Sequence, residues 1–244
     1  MMRLDALLVE KGLAPSRSKA TTLIKNGHVV VPGQTKLKPS LEVPADAEVT
    51  VTTDDMGYVS RGAEKLLAIL PATGFVFKHK VVLDIGASTG GFTQLALEEG
   101  AQHVYAVDVG KDQLAASLAN DAKVTNLEKT DGRNLTPQNI AKPPQVLLCD
   151  VSFISCTKIL PDVLATFHTI TDVFVLVKPQ FELTRQDVGA GGIVRSKQRQ
   201  MDALENVKTC LHSAGFDTPT FVRAPLARYG ANQEFVLHGR KSTD

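Results

Sequence analysis

The best candidates for ligand-binding or catalytic residues are acids that lie at the ends of predicted apolar strands. Asp84 comes at the end of strand 81–85 and opens a glycine-rich turn that runs into a helix, and Asp108 ends the next strand. This layout is typical of a nucleoside-binding βαβ unit, in which backbone amides at a helix start meet the ligand and a carboxylate binds the ribose hydroxyls. The pattern therefore predicts a site for a nucleoside cofactor.

The glycines of this turn narrow the type of nucleoside. They read G-x-x-x-G-G, whereas the close approach of a pyrophosphate requires G-x-G-x-x-G. A nucleoside without phosphates, S-adenosyl-L-methionine above all, fits this spacing better than a dinucleotide. Asp131 follows the third strand, where an adenine-contacting acid often lies. The candidate cofactor-binding residues are Asp84, Gly86, Ser88, Gly90, Gly91, Phe92, Asp108, Val109, Asp131 and Asp150.

Three further polar residues, Asp150, Lys178 and Glu234, lie at the ends of later predicted strands. A lysine at the end of a buried apolar strand is costly unless it is paired or takes part in chemistry, and Asp150 is its expected partner. Any one acid taken singly could merely cap the following helix. The recurrence of such residues on successive strands weakens that interpretation. Upstream, Arg61 and Lys65 are one helical turn apart and face the same side.

The elements that must position these residues alternate along the chain. Repeated β-α alternation predicts a mostly parallel sheet with helices on both faces, which is an α/β fold. The two last strands have no long helix between them and predict a terminal hairpin, a common ending of class I methyltransferase sheets. The predicted strands are 81–85, 103–108, 124–127, 145–150, 172–178, 218–223 and 233–238, and the predicted helices are 61–70, 91–99, 112–120, 156–167 and 196–214.

The first 50 residues form a separate pattern. A predicted helix from Arg3 to Lys11 stops at Gly12, and Ser16 can cap a second helix that ends at Gly27. Short strands follow over residues 28–31 and 48–51. We expect a small α+β domain at 1–51, a polar linker at 52–58 and the large domain at 59–244.

The net charge of +1 conceals an asymmetry. Residues 1–40 hold seven lysines and arginines against two acids, and residues 41–58 hold five acids and no base. An isolated basic cluster is more often a solvated helix face than a binding site. Here the charge coincides with a two-helix unit, and this combination indicates a polyanion as the partner.

The N-terminal pattern resembles a known RNA-binding domain. The run Arg3-Leu-Asp-x-x-Leu-x-x-x-Gly-Leu-Ala-x-Ser-Arg-Ser, followed by Ala20-x-x-Leu-Ile-x-x-Gly27, is similar to the domain named after ribosomal protein S4. In that family the two-helix face contacts folded RNA through its phosphates, which provides affinity more than sequence information. The residues expected at RNA are Arg3, Ser16, Arg17, Lys19, Lys25 and, in the large domain, Arg61.

Nearly the full chain is similar to the TlyA (haemolysin A-like) family, ribosomal RNA 2′-O-methyltransferases that join an S4 domain to an FtsJ-like catalytic domain. The resemblance rests on Tyr58-Val-Ser-Arg-Gly-Ala-Glu-Lys65, Cys149-Asp-Val-Ser-Phe-Ile-Ser155 and Leu176-Val-Lys-Pro-Gln-Phe-Glu182. It implies S-adenosyl-L-methionine as cofactor, ribosomal RNA or subunits as partner, and a catalytic tetrad of Lys65, Asp150, Lys178 and Glu234. Ala190 and Ser196 depart from the usual loop, V-G-K-G-G-[IV]-V-R-D, which leaves cofactor binding intact and puts the substrate range in question.

The resemblance makes Lys178 the base for the ribose hydroxyl. An ordinary lysine is neutral in only about one molecule in 2,500 at neutral pH, a cost of about 4.6 kcal/mol. Nearby carboxylates favour the charged form, whereas desolvation and a sulfonium oppose it. We therefore expect Lys178 to orient and stabilise charge first, and its role as general base is a hypothesis. Lys65 is expected to hold the acceptor ribose or phosphate.

Composition sets further bounds. We find neither a signal peptide at the N-terminus nor an apolar run of about 20 residues that could span a membrane, so we expect a cytoplasmic protein without a membrane partner. The three cysteines, Cys149, Cys156 and Cys210, have no metal-binding spacing and are expected to be free thiols. Oligomeric state cannot be inferred from the sequence.

Three other functions stay open at this point. A pore-forming haemolysin needs an export route and a membrane-spanning amphipathic element, which the sequence does not indicate. A non-catalytic ribosome-assembly factor could keep a methyltransferase fold, although an intact tetrad argues against this. A base-nitrogen methyltransferase often carries an N/D-P-P-Y motif after the fourth strand, where this chain has Asp150-Val-Ser-Phe153.

Overall fold

The computed structural model describes residues 2–14, 17–25, 28–34, 37–51, 58–225 and 231–242. The chain divides into two compact units, Met1–Gly57 and Tyr58–Asp244. The predicted linker, 52–58, lies outside the described residues apart from Tyr58.

The N-terminal unit consists of two helices and two short strand pairs around its own apolar core. Its elements are β1 (Met2–Arg3), α1 (Leu4–Glu10), α2 (Arg17–Lys25), β2 (Val29–Val30), β3 (Glu42–Val43) and β4 (Thr50–Val51). Strand β1 pairs with β3 and β2 pairs with β4, both antiparallel. Leucines on one face of α1 pack against α2, and the helix ends where predicted, with Gly12 at a φ of +68°. The pair β1–β3 has no sequence signal because two residues show no periodicity.

The C-terminal unit contains a seven-stranded sheet among the described residues, in the order β10-β11-β9-β8-β5-β6-β7. Strands β5 to β9 are parallel, and the last two form the predicted antiparallel hairpin, with β11 beside β9. The elements are α3 (Gly62–Leu67), α4 (Leu70–Thr73), β5 (Val81–Ile85), α5 (Gly91–Glu98), β6 (His103–Val107), α6 (Ala116–Ala119), β7 (Val124–Leu127), β8 (Val146–Cys149), α7 (Leu160–Thr166), β9 (Asp172–Val177), α8 (Pro179–Glu182), α9 (Lys197–Ser213), β10 (Phe216–Arg223) and β11 (Phe235–Lys241).

Both faces of this sheet are covered, which explains why its central strands β5, β8 and β9 are buried along their whole length. Alternate residues of β5 belong to different cores: Val81, Leu83 and Ile85 pack with α7 and α9, and Val82 packs with α3 and α5. A parallel sheet with helices on both faces requires this pattern. The α/β class predicted from the sequence is thus confirmed.

Three predicted helices are shorter than expected. The helix predicted over 61–70 breaks into α3 and α4, because Pro71 cannot donate a helical hydrogen bond. In the region 112–120 only α6 is helical, since the backbone N–H groups of residues 112–114 donate to the Glu128 carboxylate instead. The helix predicted over 156–167 becomes a 3₁₀ turn, Cys156–Lys158, followed by α7.

Candidate active site

Several of the predicted catalytic and cofactor-binding residues meet at the carboxyl-terminal ends of the parallel strands in the C-terminal unit's sheet. Asp108, Asp150 and Lys178 each follow the last residue of a parallel strand, β6, β8 and β9. Glu234 precedes β11, which is antiparallel and pairs its first residue with Val177, the last of β9. Ligands of open parallel sheets bind beyond these strand ends. The topology therefore places all four side chains at the edge where a ligand is expected.

A cavity of about 450 Å³ lies against the glycine turn. It is lined by Gly86, Ser88, Asp108, Val109, Asp131 and Asp150 of the predicted set, and by Gln113, Thr130, Arg133 and the segment 151–154, which the cofactor motif does not predict. Gly86 has a φ of +82°, and a Cβ there would lie 2.5 Å from the Asp150 backbone oxygen. Only glycine therefore permits the turn to approach β8 and leave the cavity open.

Asp108 is fixed by the backbone. Its two carboxylate oxygens accept hydrogen bonds from the Ser88 N–H at 2.8 Å and the Gly110 N–H at 2.7 Å. Because each carboxylate oxygen can accept more than one hydrogen bond, Asp108 keeps capacity for a pair of ribose hydroxyls. Asp131, on the opposite lining segment, is held by the guanidinium of Arg133 at 2.6 Å. This partner holds the pKa of the Asp131 carboxyl below its usual range.

The remaining residues of the glycine motif shape the walls. Gly90 is the N-cap of α5 with a φ of +99°, and Gly91 brings α5 so close to α3 that a Cβ would collide with the Ser60 hydroxyl. Phe92 is buried between these helices and lines a smaller cavity. Val109, by contrast, is 74% exposed at the rim of the larger cavity.

Asp84 lies behind the cavity wall. Its side chain is 0% exposed, and the Thr93 hydroxyl donates to its carboxylate at 2.7 Å. Burial raises the pKa of Asp84 to about 7, opposed by the Thr93 hydrogen bond. The contact with Thr93 joins the end of β5 to the first turn of α5. The structure therefore places Asp84 where it holds the glycine turn, and it lines neither cavity; its part in cofactor binding stays a prediction.

The tetrad residues form two ion pairs beside a smaller cavity of about 110 Å³, which Gly86, Ser88 and Asp150 share with the larger one. Lys178 Nζ lies 2.6 Å from Asp150 Oδ1, and Lys65 Nζ lies 2.6 Å from Glu234 Oε2. Lys65 and Asp150 both line the smaller cavity. All four side chains are at most 21% exposed. The expected pairing of Lys178 with Asp150 is present, and each buried charge has an opposite charge beside it.

Sequence reasoning missed the role of the loop that follows β8. Lys178 Nζ donates a hydrogen bond to Ser152 Oγ at 2.8 Å. Phe153 is 92% exposed and has a φ of +65°, and its ring lies 5.3 Å from that of Phe181. The string Asp150-Val-Ser-Phe-Ile-Ser155 marks the loop as unusual, but its residue spacing does not reveal which side chain meets Lys178.

In the N-terminal unit, two of the predicted RNA-binding arginines share one acid. Asp5 is buried and accepts hydrogen bonds from Arg3 and Arg17, whose side chains stay 49% and 59% exposed. These guanidinium groups lower the pKa of Asp5 to about 2. Lys25 is exposed at the end of α2. Ser16 and the side chain of Lys19 lie outside the described residues, and Arg61 is the N-cap of α3, one turn before Lys65.

Comparison with known proteins places this geometry in a family. The model of FtsJ-like methyltransferases matches residues 58–241, and the model of S4 domains matches residues 2–49. The chain is 40% identical over 243 residues to the 16S/23S rRNA (cytidine-2′-O)-methyltransferase TlyA of Mycobacterium tuberculosis, covering 99% of this chain and 91% of the relative.

Solved structures agree with this placement. A protein from Streptococcus thermophilus that is named as a hemolysin has a TM-score of 0.76 and 35% identity, over 99% of this chain and 88% of its own. The magnesium protoporphyrin IX methyltransferase of Synechocystis, solved with bound S-adenosylmethionine, has a TM-score of 0.52 at 15% identity, over 75% of this chain and 79% of its own. The second likeness establishes the class I fold alone. In the described part of the chain, no helix is long and apolar enough to cross a membrane.

Proposed function

Because the chain belongs to the TlyA family of ribosomal RNA 2′-O-methyltransferases, we propose that it transfers a methyl group from S-adenosyl-L-methionine to a ribose 2′-hydroxyl of ribosomal RNA. One observation carries this proposal: the ion pairs Lys178–Asp150 and Lys65–Glu234 lie beside the smaller cavity, which Asp150 and Lys65 line. A site that only binds a cofactor would not need two largely buried lysines, because burying a charged side chain costs free energy.

The two units divide the work. Residues 1–51 bind RNA through Arg3, Arg17 and Lys25, and residues 59–244 bind the cofactor and perform the transfer. Arg61 adds a cation at the N-terminus of α3, the helix that carries Lys65. The phosphate contacts of the first unit supply affinity and orientation with little sequence information. The substrate is ribosomal RNA or a ribosomal subunit, so the protein acts in the cytoplasm, where ribosomes are assembled.

The larger cavity fits the nucleoside part of the cofactor. Asp108, with both oxygens held by the backbone, accepts from the ribose hydroxyls, and Asp131 faces the base. Gly86 and Ser88 line both cavities and so stand between the cofactor and the acceptor. S-adenosyl-L-methionine, when bound, supplies an electrophilic methyl group on a sulfonium. Ile85, Val107 and Ile159 form an apolar part of the cavity wall.

Catalysis by the chain's own residues is mainly positioning and charge. An in-line methyl transfer needs the acceptor oxygen and the methyl carbon held in line, which is a matter of geometry. Lys178 lines neither of the two cavities, but its Nζ lies 2.6 Å from Asp150, which lines both. From there it can hold the 2′-hydroxyl and stabilise the negative charge that develops on its oxygen, and the hydroxyl proton leaves to solvent as the methyl–oxygen bond forms and the methyl–sulfur bond breaks. Asp150 keeps Lys178 in place. Lys65, held by Glu234, contacts the acceptor ribose or its phosphate.

The proposal is tested by labelled methyl transfer to ribosomal subunits from cells that lack this protein, followed by mapping of the methylated position. We expect a 2′-O-methyl group, and a Lys178→Ala protein that binds cofactor but transfers methyl at least about 100-fold more slowly. The matched control is Lys208→Ala, because Lys208 is also paired, with Glu205 at 2.7 Å, but lies on α9 outside the site.

The same experiments separate the alternatives. A wild-type protein that binds subunits without transferring methyl would be a non-catalytic assembly factor. Methyl on a base nitrogen would replace the ribose acceptor by a base. Leakage of purified vesicles on addition of the protein would support the pore-forming alternative. Lys178→Ala protein with the full methylation rate would remove Lys178 from the chemistry.

A further inference from the structure

We propose that Ser152 is a positioning residue for Lys178, and that together with Asp150 it sets the direction in which the lysine meets the ribose hydroxyl. This inference rests on the proposed function and adds a residue to its site. Asp150 supplies the charge that keeps the ammonium group at the strand end, and Ser152 supplies the orientation of its N–H bonds.

The geometry of the three side chains carries the proposal. Lys178 Nζ lies 2.6 Å from Asp150 Oδ1 and 2.8 Å from Ser152 Oγ. The contact with Ser152 is an aligned hydrogen bond, whereas Asp150 Oδ1 has no aligned donor among the described residues despite its short distance. An ion pair attracts in any orientation, but a hydrogen bond weakens steeply when its angle closes. Ser152 is therefore the contact that fixes rotation of the ammonium group.

The consequence for catalysis follows from the three N–H donors of the Lys178 ammonium group. Lysine has three donors on a tetrahedral nitrogen, so directing one of them to Ser152 fixes the directions of the other two. Ser152 lines the larger cavity, and Asp150 lines both cavities. The two remaining N–H directions are then set relative to the place where cofactor and acceptor meet. Without Ser152, Lys178 would stay near Asp150 but would rotate among several orientations.

The loop that carries Ser152 is anchored independently of Lys178. The Glu182 carboxylate accepts hydrogen bonds from the Ser155 hydroxyl and from the Cys156 backbone N–H. The ring of Phe153 packs on that of Phe181 at 5.3 Å, and Phe153 holds a φ of +65°. Because these contacts join the loop to α8, removing the Ser152 hydroxyl should leave the loop in place. A loss of rate in that variant would then reflect orientation of Lys178.

The experiment compares Ser152→Ala, Ser152→Thr and Ser155→Ala in the full-length protein, with ribosomal subunits as acceptor. We expect Ser152→Ala to lower kcat by about 10- to 100-fold, the usual worth of a hydrogen bond to a charged group, with KM for subunits and the cofactor Kd within about twofold of wild type. Ser152→Thr retains the hydroxyl and should recover kcat to within about threefold of wild type. Ser155→Ala removes one loop contact that does not touch Lys178 and leaves the Cys156–Glu182 hydrogen bond and the Phe153–Phe181 contact in place, so it should change kcat by less than about threefold.

Three results would overturn the proposal. The first is a Ser152→Ala protein with wild-type kcat. The second is a loss that follows cofactor Kd rather than kcat, which would make Ser152 a cofactor contact. The third is an equal loss in Ser155→Ala, which would make the effect one of loop structure. If Ser152→Ala unfolds, Ser152→Cys can replace it, because cysteine has nearly the volume of serine but is a weaker hydrogen-bond acceptor. A wild-type kcat in Ser152→Cys would also contradict the proposal. Failure of the proposed function is distinct, because the wild-type protein would then transfer no methyl.

Discussion

The sharpest structural prediction concerns the glycine at the bend between β5 and the cofactor cavity. Gly86 has a φ of +82°, and a Cβ at this position would lie 2.5 Å from the backbone oxygen and 2.9 Å from the backbone carbon of Asp150. Neither atom belongs to a flexible side chain, so Gly86→Ala must shift the backbone of a tetrad residue. Gly215, which follows α9, offers a matched control because it has the same φ of +82° and nothing within 4 Å of a Cβ.

The comparison separates backbone strain from collision. An alanine in the left-handed region costs about 1–2 kcal/mol, and both variants pay this. Collision with fixed backbone adds about 1–3 kcal/mol in Gly86→Ala alone. Each kcal/mol lowers Tm by about 2–4 °C in a protein of this size, so Gly86→Ala should melt several degrees below Gly215→Ala. A shift of about 1 Å near reacting atoms costs about 100-fold in rate.

The assay is thermal unfolding of both variants together with methyl transfer at a temperature where each is folded. Gly215→Ala should keep its transfer rate within about twofold of wild type, because it touches nothing in the site. Gly86→Ala should lose cofactor affinity and at least about tenfold in rate. Equal Tm values and equal rates in the two variants would refute the collision argument, since strain alone would then account for both.

Three further predictions concern titration and reactivity. Burial raises the pKa of Asp84 to about 7, above its unfolded value, so the folded state should lose stability as pH rises from about 4 to 7. Asp84→Asn should abolish this dependence of the unfolding free energy on pH, as measured by urea unfolding at several pH values. The pKa of Asp5 is lowered to about 2, so its contribution to the free energy of unfolding is complete above pH 4 and should be lost as pH falls toward 2. Asp5→Asn should remove this acid sensitivity from the thermal unfolding of the N-terminal unit. Burial raises the pKa of all three thiols, but only Cys210 is partly exposed, so mass spectrometry should find it alkylated first and Cys149 and Cys156 only after unfolding.

Much of the architecture follows from local pattern. Strands β5 and β9 are found close to their predicted bounds, because strands buried on both faces are mainly apolar runs. Helix boundaries depend more on contacts that are distant in sequence. Glu128 removes the first turns of the helix predicted over 112–120 by accepting three backbone N–H groups, and this carboxylate is distant from them in sequence.

The site shows the same division. The glycine turn, the acids at the strand ends and the family can be predicted from the residues alone, because these depend on residue type and spacing. The inward turn of Asp84 to Thr93 and the contact of Ser152 with Lys178 depend on tertiary packing. The reason is that side-chain direction at a strand end depends on the loops packed above it. In this protein, contacts between Glu182 and the loop after β8 settle that packing.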